Sequence, residues 1–167
     1  MRTVAESSAD TTASTGAVWA VWADPALRPE WHPRLEWASQ DGPLRPGTPG
    51  RWKPAGARPV DVVVGEVDEG RRLVHTGTHG HGPRLAQGHY LYEVVELPGG
   101  GARITHRVAL SGILARPLGA VLGRMLGRPA SPAAVLAVAR LAEAAETGPG
   151  AGCRSERPPT AGETGRD

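Results

Sequence analysis

The chain has 167 residues, with 19 Lys and Arg against 17 Asp and Glu and a formal net charge of +2. That length holds one core and hardly two, and although the pI is about 9.2 the cations form no run and no aromatic-lined stripe, which argues against a nucleic-acid partner. Every basic residue but Lys53 is an arginine, and beside 23 Gly and 16 Pro this abundance reads as the codon bias of a GC-rich genome rather than as a set of phosphate ligands.

Residues 2–9 alternate weakly and end in a polar cluster, as an edge strand does. Ser14 or Thr15 then caps a helix whose face is Ala17, Val18, Val21 and Trp22, and Pro25 stops it near Ala23. A second short turn, 26–30, leads to Trp31, His32 and Pro33. Turn signals then arrive at strand spacing, with short strands at 35–39 and 51–53 and a central β-branched one at 60–67. Glu69-Gly70 turns the chain into 72–78, the loop Gly80-His81-Gly82-Pro83 returns it into 85–97, and Gly99-Gly100-Gly101 turns it into 103–110. Four of these strands make an antiparallel meander.

From Ser111 to Glu146 the period changes to helical. Leu114, Leu118, Val121, Leu122, Met125 and Leu126 share one stripe, with Arg116 and Arg124 outside it. Gly127 and Pro129 break this helix, and Ser131-Pro132 restarts it as a segment burying Val135, Val138, Leu141 and Ala142. Arg116, Pro117 and Arg124 interrupt the longest apolar run, so no integral membrane segment is expected. Residues 148–167 lack periodicity and read as a disordered tail after a domain spanning 1–147. The tail carries the single cysteine, Cys153, which cannot staple a fold; with no apolar signal-peptide core before Val18, the expected compartment is the cytoplasm.

The order of these elements is accompanied by local words: Val18-Trp19 with Asp24-Pro25 and Glu30-Trp31-His32-Pro33; Gly42-Pro43-Leu44 with Pro46-Gly47; Glu66-Val67 with Arg71-Arg72-Leu73; and Gly101 to Thr105 running on to Leu110-Ser111-Gly112. Together they resemble the START-like, or SRPBCC, superfamily, in particular its polyketide cyclase/dehydrase-like branch, over about residues 3–146. The resemblance implies an α+β helix-grip fold: a curved antiparallel sheet wrapped around a long C-terminal helix, with two short helices after the first strand. It also implies a cavity between sheet and helix where a small hydrophobic molecule binds, and it carries no universal catalytic motif.

Strand alternation within that fold selects side chains that reach the cavity. Ile104, His106 and Val108 share an apolar, inward face with Leu110. On the preceding strand two registers compete. One turns Leu91, Val95, His89 and Glu93 inward, and is preferred because it sets Leu97 across the glycine turn from Ile104; the other buries Tyr90 and Tyr92 and leaves Glu93 in water. In the first, Glu93 and His106 form a polar end of the cavity, a pair that orients a ligand or serves as acid and base. Trp31 and Trp52, with Phe absent, supply bulk to core or framework beside the cavity mouth, while His32 is expected to be exposed. His75, Leu118 and Leu122 complete the expected ligand-binding set.

His75, His79, His81 and His89 invite a zinc reading, but their spacing matches no strong motif and Gly80 and Gly82 place two of them on a hairpin tip, so no metal is expected. A nucleophile elbow, a phosphate loop and a dinucleotide fingerprint are all missing from the sequence, and no cofactor is expected. Three classes of function remain: a carrier or sensor of a small hydrophobic ligand, the preferred one; a cyclase, aromatase or dehydratase using Glu93 and His106; and an interaction module with a collapsed cavity.

Overall fold

The computed structural model describes residues 1–78, 87–115 and 130–148. Strand β1 (Arg2–Thr11) is followed by helices α1 (Thr15–Ala23) and α2 (Arg28–Trp31), which a 3₁₀ turn at Pro25–Leu27 joins. Six strands follow: β2 (Leu35–Gln40), β3 (Pro49–Pro54), β4 (Val60–Asp68), β5 (Arg72–Thr78), β6 (Gln87–Glu96) and β7 (Ala102–Ser111). A 3₁₀ turn at Ile113–Ala115 comes next, and helix α3 (Pro132–Thr147) is the last described element.

Local chemistry accounts for the helix ends. The Ser14 side chain accepts a hydrogen bond from the Ala17 amide at 3.2 Å, capping α1. Pro25 holds Asp24 in the extended region, which ends α1, and the Asp24 carboxylate then caps the following turn by accepting from the Ala26 amide at 2.8 Å. Ser131 caps α3 in the same way, with Pro132 in the first turn, where its missing N–H costs nothing. A helix therefore begins at Ser131-Pro132 as expected, while the break expected at Gly127 and Pro129 lies outside the described residues. Leu118, Val121, Leu122, Met125 and Leu126 lie outside the described residues, as do the His79–His81 loop and the tail with Cys153.

All seven strands are antiparallel neighbours in one sheet, ordered β1-β7-β6-β5-β4-β3-β2. The meander thus runs from β2 to β7, and β1 returns to close its far edge. Bulges between Thr3 and Ala5, Leu35 and Trp37, and Val64 and Glu66 bend the sheet. At the β6–β7 turn Gly101 has φ of 73°, and a Cβ there would stand 2.2 Å from the Thr11 carbonyl oxygen, so only glycine lets this turn lie against the end of β1.

Helix α3 packs on α1 and β1 and touches α2 and β7. It buries Ala134, Val135, Val138, Ala139 and Ala142, with Leu141 partly covered at the edge. Each buried valine contributes about 1.5–2 kcal/mol by transfer from water. Its C-terminal half is also tied down by carboxylates: Glu143 Oε1 accepts from the Thr11 hydroxyl at 2.6 Å, the Thr12 amide at 3.1 Å and the Thr12 hydroxyl at 3.1 Å, and Glu146 accepts from the Ser14 amide and hydroxyl. One concave face of the sheet and the helices enclose the core, giving the helix-grip arrangement. No helix among the described residues is long and apolar enough to cross a membrane.

The opposite face is where many of the charges go. Arg103 makes a two-pronged contact with Asp10 (2.7 and 2.9 Å) and Arg107 binds Glu6 at 2.7 Å, both across the β1–β7 pair, and Arg51 meets Asp61 at 3.3 Å. Exposed to solvent as they are, these pairs are screened and serve more to fix the register of neighbouring strands than to stabilise the fold.

Candidate functional site

The inner face of the sheet is aromatic where it meets α1 and α2. The β6–β7 register places Tyr90 opposite Val108, Tyr92 opposite His106 and Val94 opposite Ile104, and directly opposed residues share a face. Tyr90, Tyr92 and Val94 therefore point inward with Ile104, His106 and Val108, and all six are buried. Trp52 from β3, His75 from β5, Trp22 from α1 and Trp31 from α2 close on them. Trp31 lies 5.4 Å edge-on to Tyr92, Tyr92 4.9 Å from His106, and Trp52 4.9 Å from Tyr90 and 5.4 Å from His75, all ordinary ring-packing separations.

Arg28 stands at the centre of these rings. Its side chain projects from the first residue of α2 and is 2% exposed. The guanidinium carbon lies 4.9 Å from the Trp52 ring, 5.3 Å from Trp31 and 5.8 Å from Tyr92, so three ring faces replace the water that a cation would otherwise hold. Nη2 donates to the Trp22 carbonyl at 3.2 Å, and Nη1 has no hydrogen-bond partner. Thr11, Arg28, His32, His75 and His106 are the buried polar side chains of the described core, so no buried carboxylate offsets this charge.

The cation and its burial set the protonation of what surrounds it. Burial first, then the Arg28 charge, pushes His32 down to about 4 and holds His75 well below the usual imidazole range. Burial raises both tyrosines, Tyr92 to about 12, and the guanidinium beside it draws that value down. At neutral pH the site therefore holds one positive charge among neutral rings. A cavity of about 10 Å³ lies against Arg28, Trp52, Val64 and His75, room for about one water-sized group.

Of the residues expected to line the cavity, the structure brings Trp31, Trp52, His75, Ile104, His106 and Val108 together on the inner side. Four others are corrected. Glu93 and Val95 face outward: Glu93 pairs with Arg72 at 3.6 Å and Val95 is 64% exposed. His89 faces outward as well, sharing a hydrogen bond with the Ser111 hydroxyl at 2.8 Å, and Leu91 packs on that face with Val74 and Ala109. The physical reason is the length of the β6–β7 turn. It closes with Glu96 opposite Ala102, and this sets Val94, not Leu97, beside Ile104.

The Glu93–His106 acid–base pair consequently does not form, because the two stand on opposite faces of the sheet. His106 is instead engaged by Trp22, whose Nε1 donates to His106 Nε2 at 3.2 Å and so makes that nitrogen an acceptor. His32, expected to be exposed, is buried against Trp31 and Trp52. His75 and His89 point to opposite sides of the sheet, and no group of three metal-binding side chains occurs among the described residues. Leu118 and Leu122 lie outside the described residues.

Arg28 and Trp22 are the residues of this cluster that sequence reasoning missed, and Tyr90 and Tyr92 belong to the register it held open but did not prefer. For Arg28 a signal existed. It stands three positions before Trp31 in a short helix, hence on the same face, but among so many arginines it carried no distinction. For the tyrosines the signal was the absence of Phe, which leaves Tyr and Trp to fill the aromatic volume of the core.

A family model described as polyketide cyclase / dehydrase and lipid transport matches residues 2–146. Solved structures agree in fold. A protein from Thermobifida fusca is 23% identical with a TM-score of 0.62, over 86% of this chain and 95% of that one. Ara h 8.0201 is 16% identical with a TM-score of 0.61, over 83% and 96%, and a protein from Thermus thermophilus is 14% identical with a TM-score of 0.62, over 86% and 99%. No curated protein matches.

Proposed function

We propose, because this chain belongs to the polyketide cyclase / dehydrase and lipid transport family of the START-like superfamily, that it is a carrier or sensor of a small hydrophobic molecule, held between the inner face of the sheet and the helices. The observation that carries this reading is the ring-lined interior of Trp22, Trp31, Trp52, Tyr90 and Tyr92 around one buried cation, since an interior built only for stability has no use for an unpaired charge. The lone cysteine suits a reducing compartment, and we place the protein in the cytoplasm. A cyclase or dehydratase reading loses the acid–base pair on which it rested.

Three of the five tryptophans, Trp22, Trp31 and Trp52, belong to this cluster, so occupancy should be visible in intrinsic fluorescence. Titration with naphthalene and with 1-anilinonaphthalene-8-sulfonate is expected to quench tryptophan emission saturably. A probe at a hundred times its Kd should also stabilise the fold by about 2.7 kcal/mol. One observation favours a second reading, an interaction module with a filled interior: the cavity beside Arg28 is only about 10 Å³. Flat titrations and unmoved melting curves with both probes would decide for that module.

A further inference from the structure

On the outer face of the sheet, away from the ring cluster, three neighbouring strands bring a threonine, a histidine and a serine into line. Thr76 on β5 stands directly opposite His89 on β6, and Ser111 on β7 lies two residues beyond Ala109, the direct partner of His89. A side chain as long as histidine reaches such a diagonal neighbour. His89 Nε2 is 2.8 Å from the Ser111 hydroxyl oxygen, and Nδ1 makes a longer contact of 3.4 Å with the Thr76 hydroxyl oxygen. The ring is therefore engaged through both nitrogens, with one hydroxyl at each end.

A neutral imidazole carries one N–H and one free lone pair. Burial holds His89 below the usual imidazole range, so the ring is neutral at pH 7. With its proton on Nδ1, directed at the Thr76 oxygen, Nε2 accepts from the Ser111 hydroxyl. A hydroxyl, a base within hydrogen-bond reach of it and a third group turning that base are the parts of an activated nucleophile. Ser111 also borders open space. Gly112, with φ of 101°, turns the chain out of β7 directly after it, and Ser111 shares the wall of a cavity of about 690 Å³ with Arg2, Leu110, Ile113 and Ala115. That volume is typical of small-molecule sites, and the aliphatic walls suit an apolar acyl group.

We propose that Ser111 is a nucleophile and His89 its general base, in a second site that takes carboxylic esters of small apolar acids. The site goes beyond the ligand-binding reading and does not depend on it, because the ring cluster lies on the other face of the sheet. In the first step the Ser111 oxygen bonds to the ester carbonyl carbon as its proton passes to His89 Nε2; the bond from that carbon to the alkoxy oxygen breaks, and the alcohol leaves with the proton. In the second step water gives a proton to the same nitrogen and its oxygen bonds to the acyl carbon. The bond to Ser111 breaks, the serine oxygen recovers the proton, and the acid departs.

The test is labelling with diisopropyl fluorophosphate, in which an activated serine oxygen bonds to phosphorus and fluoride leaves, read by peptide mass spectrometry beside turnover of 4-nitrophenyl butyrate. The wild-type protein should carry the label on Ser111 and release 4-nitrophenolate at least tenfold faster than Ser111→Ala. General bases contribute about 10²–10⁴-fold, so His89→Asn should be labelled at least tenfold more slowly with its melting curve in place. A label on another residue, no label, or equal labelling of His89→Asn would overturn the proposal and leave the hydrophobic-ligand reading untouched. Flat naphthalene titrations with Ser111 labelled would do the reverse. Should a variant not fold, the position labelled in the wild type decides alone.

Discussion

Arg28 is a stability liability retained at the centre of the molecule. Its burial disfavours the charged form, and three rings and one carbonyl replace its hydration. Replacing a buried charge by an apolar side chain of similar length is often stabilising, so Arg28→Met is expected to raise stability by roughly 1 kcal/mol in chemical denaturation. A loss of more than about 2 kcal/mol would mean that the rings compensate the cation fully. Next to it, His32 and His75 give acid sensitivity a definite sign. Their folded-state pKa values are lowered from 6.5, His32 to about 4, so the unfolded chain takes up protons first. Their contribution is complete above pH 6.5 and is lost as the pH falls from 6.5 towards 4, by about 1.4 kcal/mol per pH unit for each histidine. Urea unfolding at pH 7.5, 6 and 5 measures the slope, and a flat profile over that range would show that both rings protonate inside the fold.

At the scale of elements, α3 is held by different means on its two sides. Valines and alanines bury its inner stripe, while Glu143 and Glu146 reach across to Thr11, Thr12 and Ser14 at the joint between β1 and α1. Glu143 has its pKa lowered first by the Thr11 hydroxyl and then by Thr12. Stability from this tie is therefore present above pH 4.5 and disappears as the pH drops through the folded value. Glu143→Gln should lower Tm by a few degrees at pH 7, and the gap to wild type should close in acid; a gap that persists at low pH would assign the effect to packing. The cap at Ser131 was legible because Ser-Pro before an apolar run has one local meaning, and the same holds for Ser14 and Pro25. The Glu143 tie was not legible, since nothing local connects a carboxylate on a helix to a turn about 130 residues earlier.

For the whole molecule, the succession of elements and the helix-grip architecture could be read because Gly and Pro punctuate the chain at strand spacing and the short words resemble one family over about residues 3–146, the family whose model matches residues 2–146. The interior could not be read to the same depth. Both faces of β6 carry large side chains, Leu91 and Val95 on one and Tyr90, Tyr92 and Val94 on the other, so alternation alone was ambiguous and the five-residue turn at 97–101 decided it. Half of the expected site, Trp31, Trp52, His75, Ile104, His106 and Val108, is together on the inner side because β7 has an unmixed apolar face and the remaining residues follow it.

Strand β1 bonds to β7, the strand most distant from it in sequence: Ser8 and Thr105, 97 positions apart, share a hydrogen bond of 2.8 Å. A ribosome releases β1 before any other described strand and its partner after all of them. Throughout synthesis of β2 to β6, β1 waits with its backbone groups unpaired, and the Ser, Glu and Asp side chains along it let it wait in water without recruiting another chain's edge. Closing so long a loop is slow rather than costly, as each doubling of its length adds only about 0.6 kcal/mol. The joint that receives Glu143 and Glu146 is fixed once β1 has docked, so the nascent chain completes its sheet before its last helix has a place to lie.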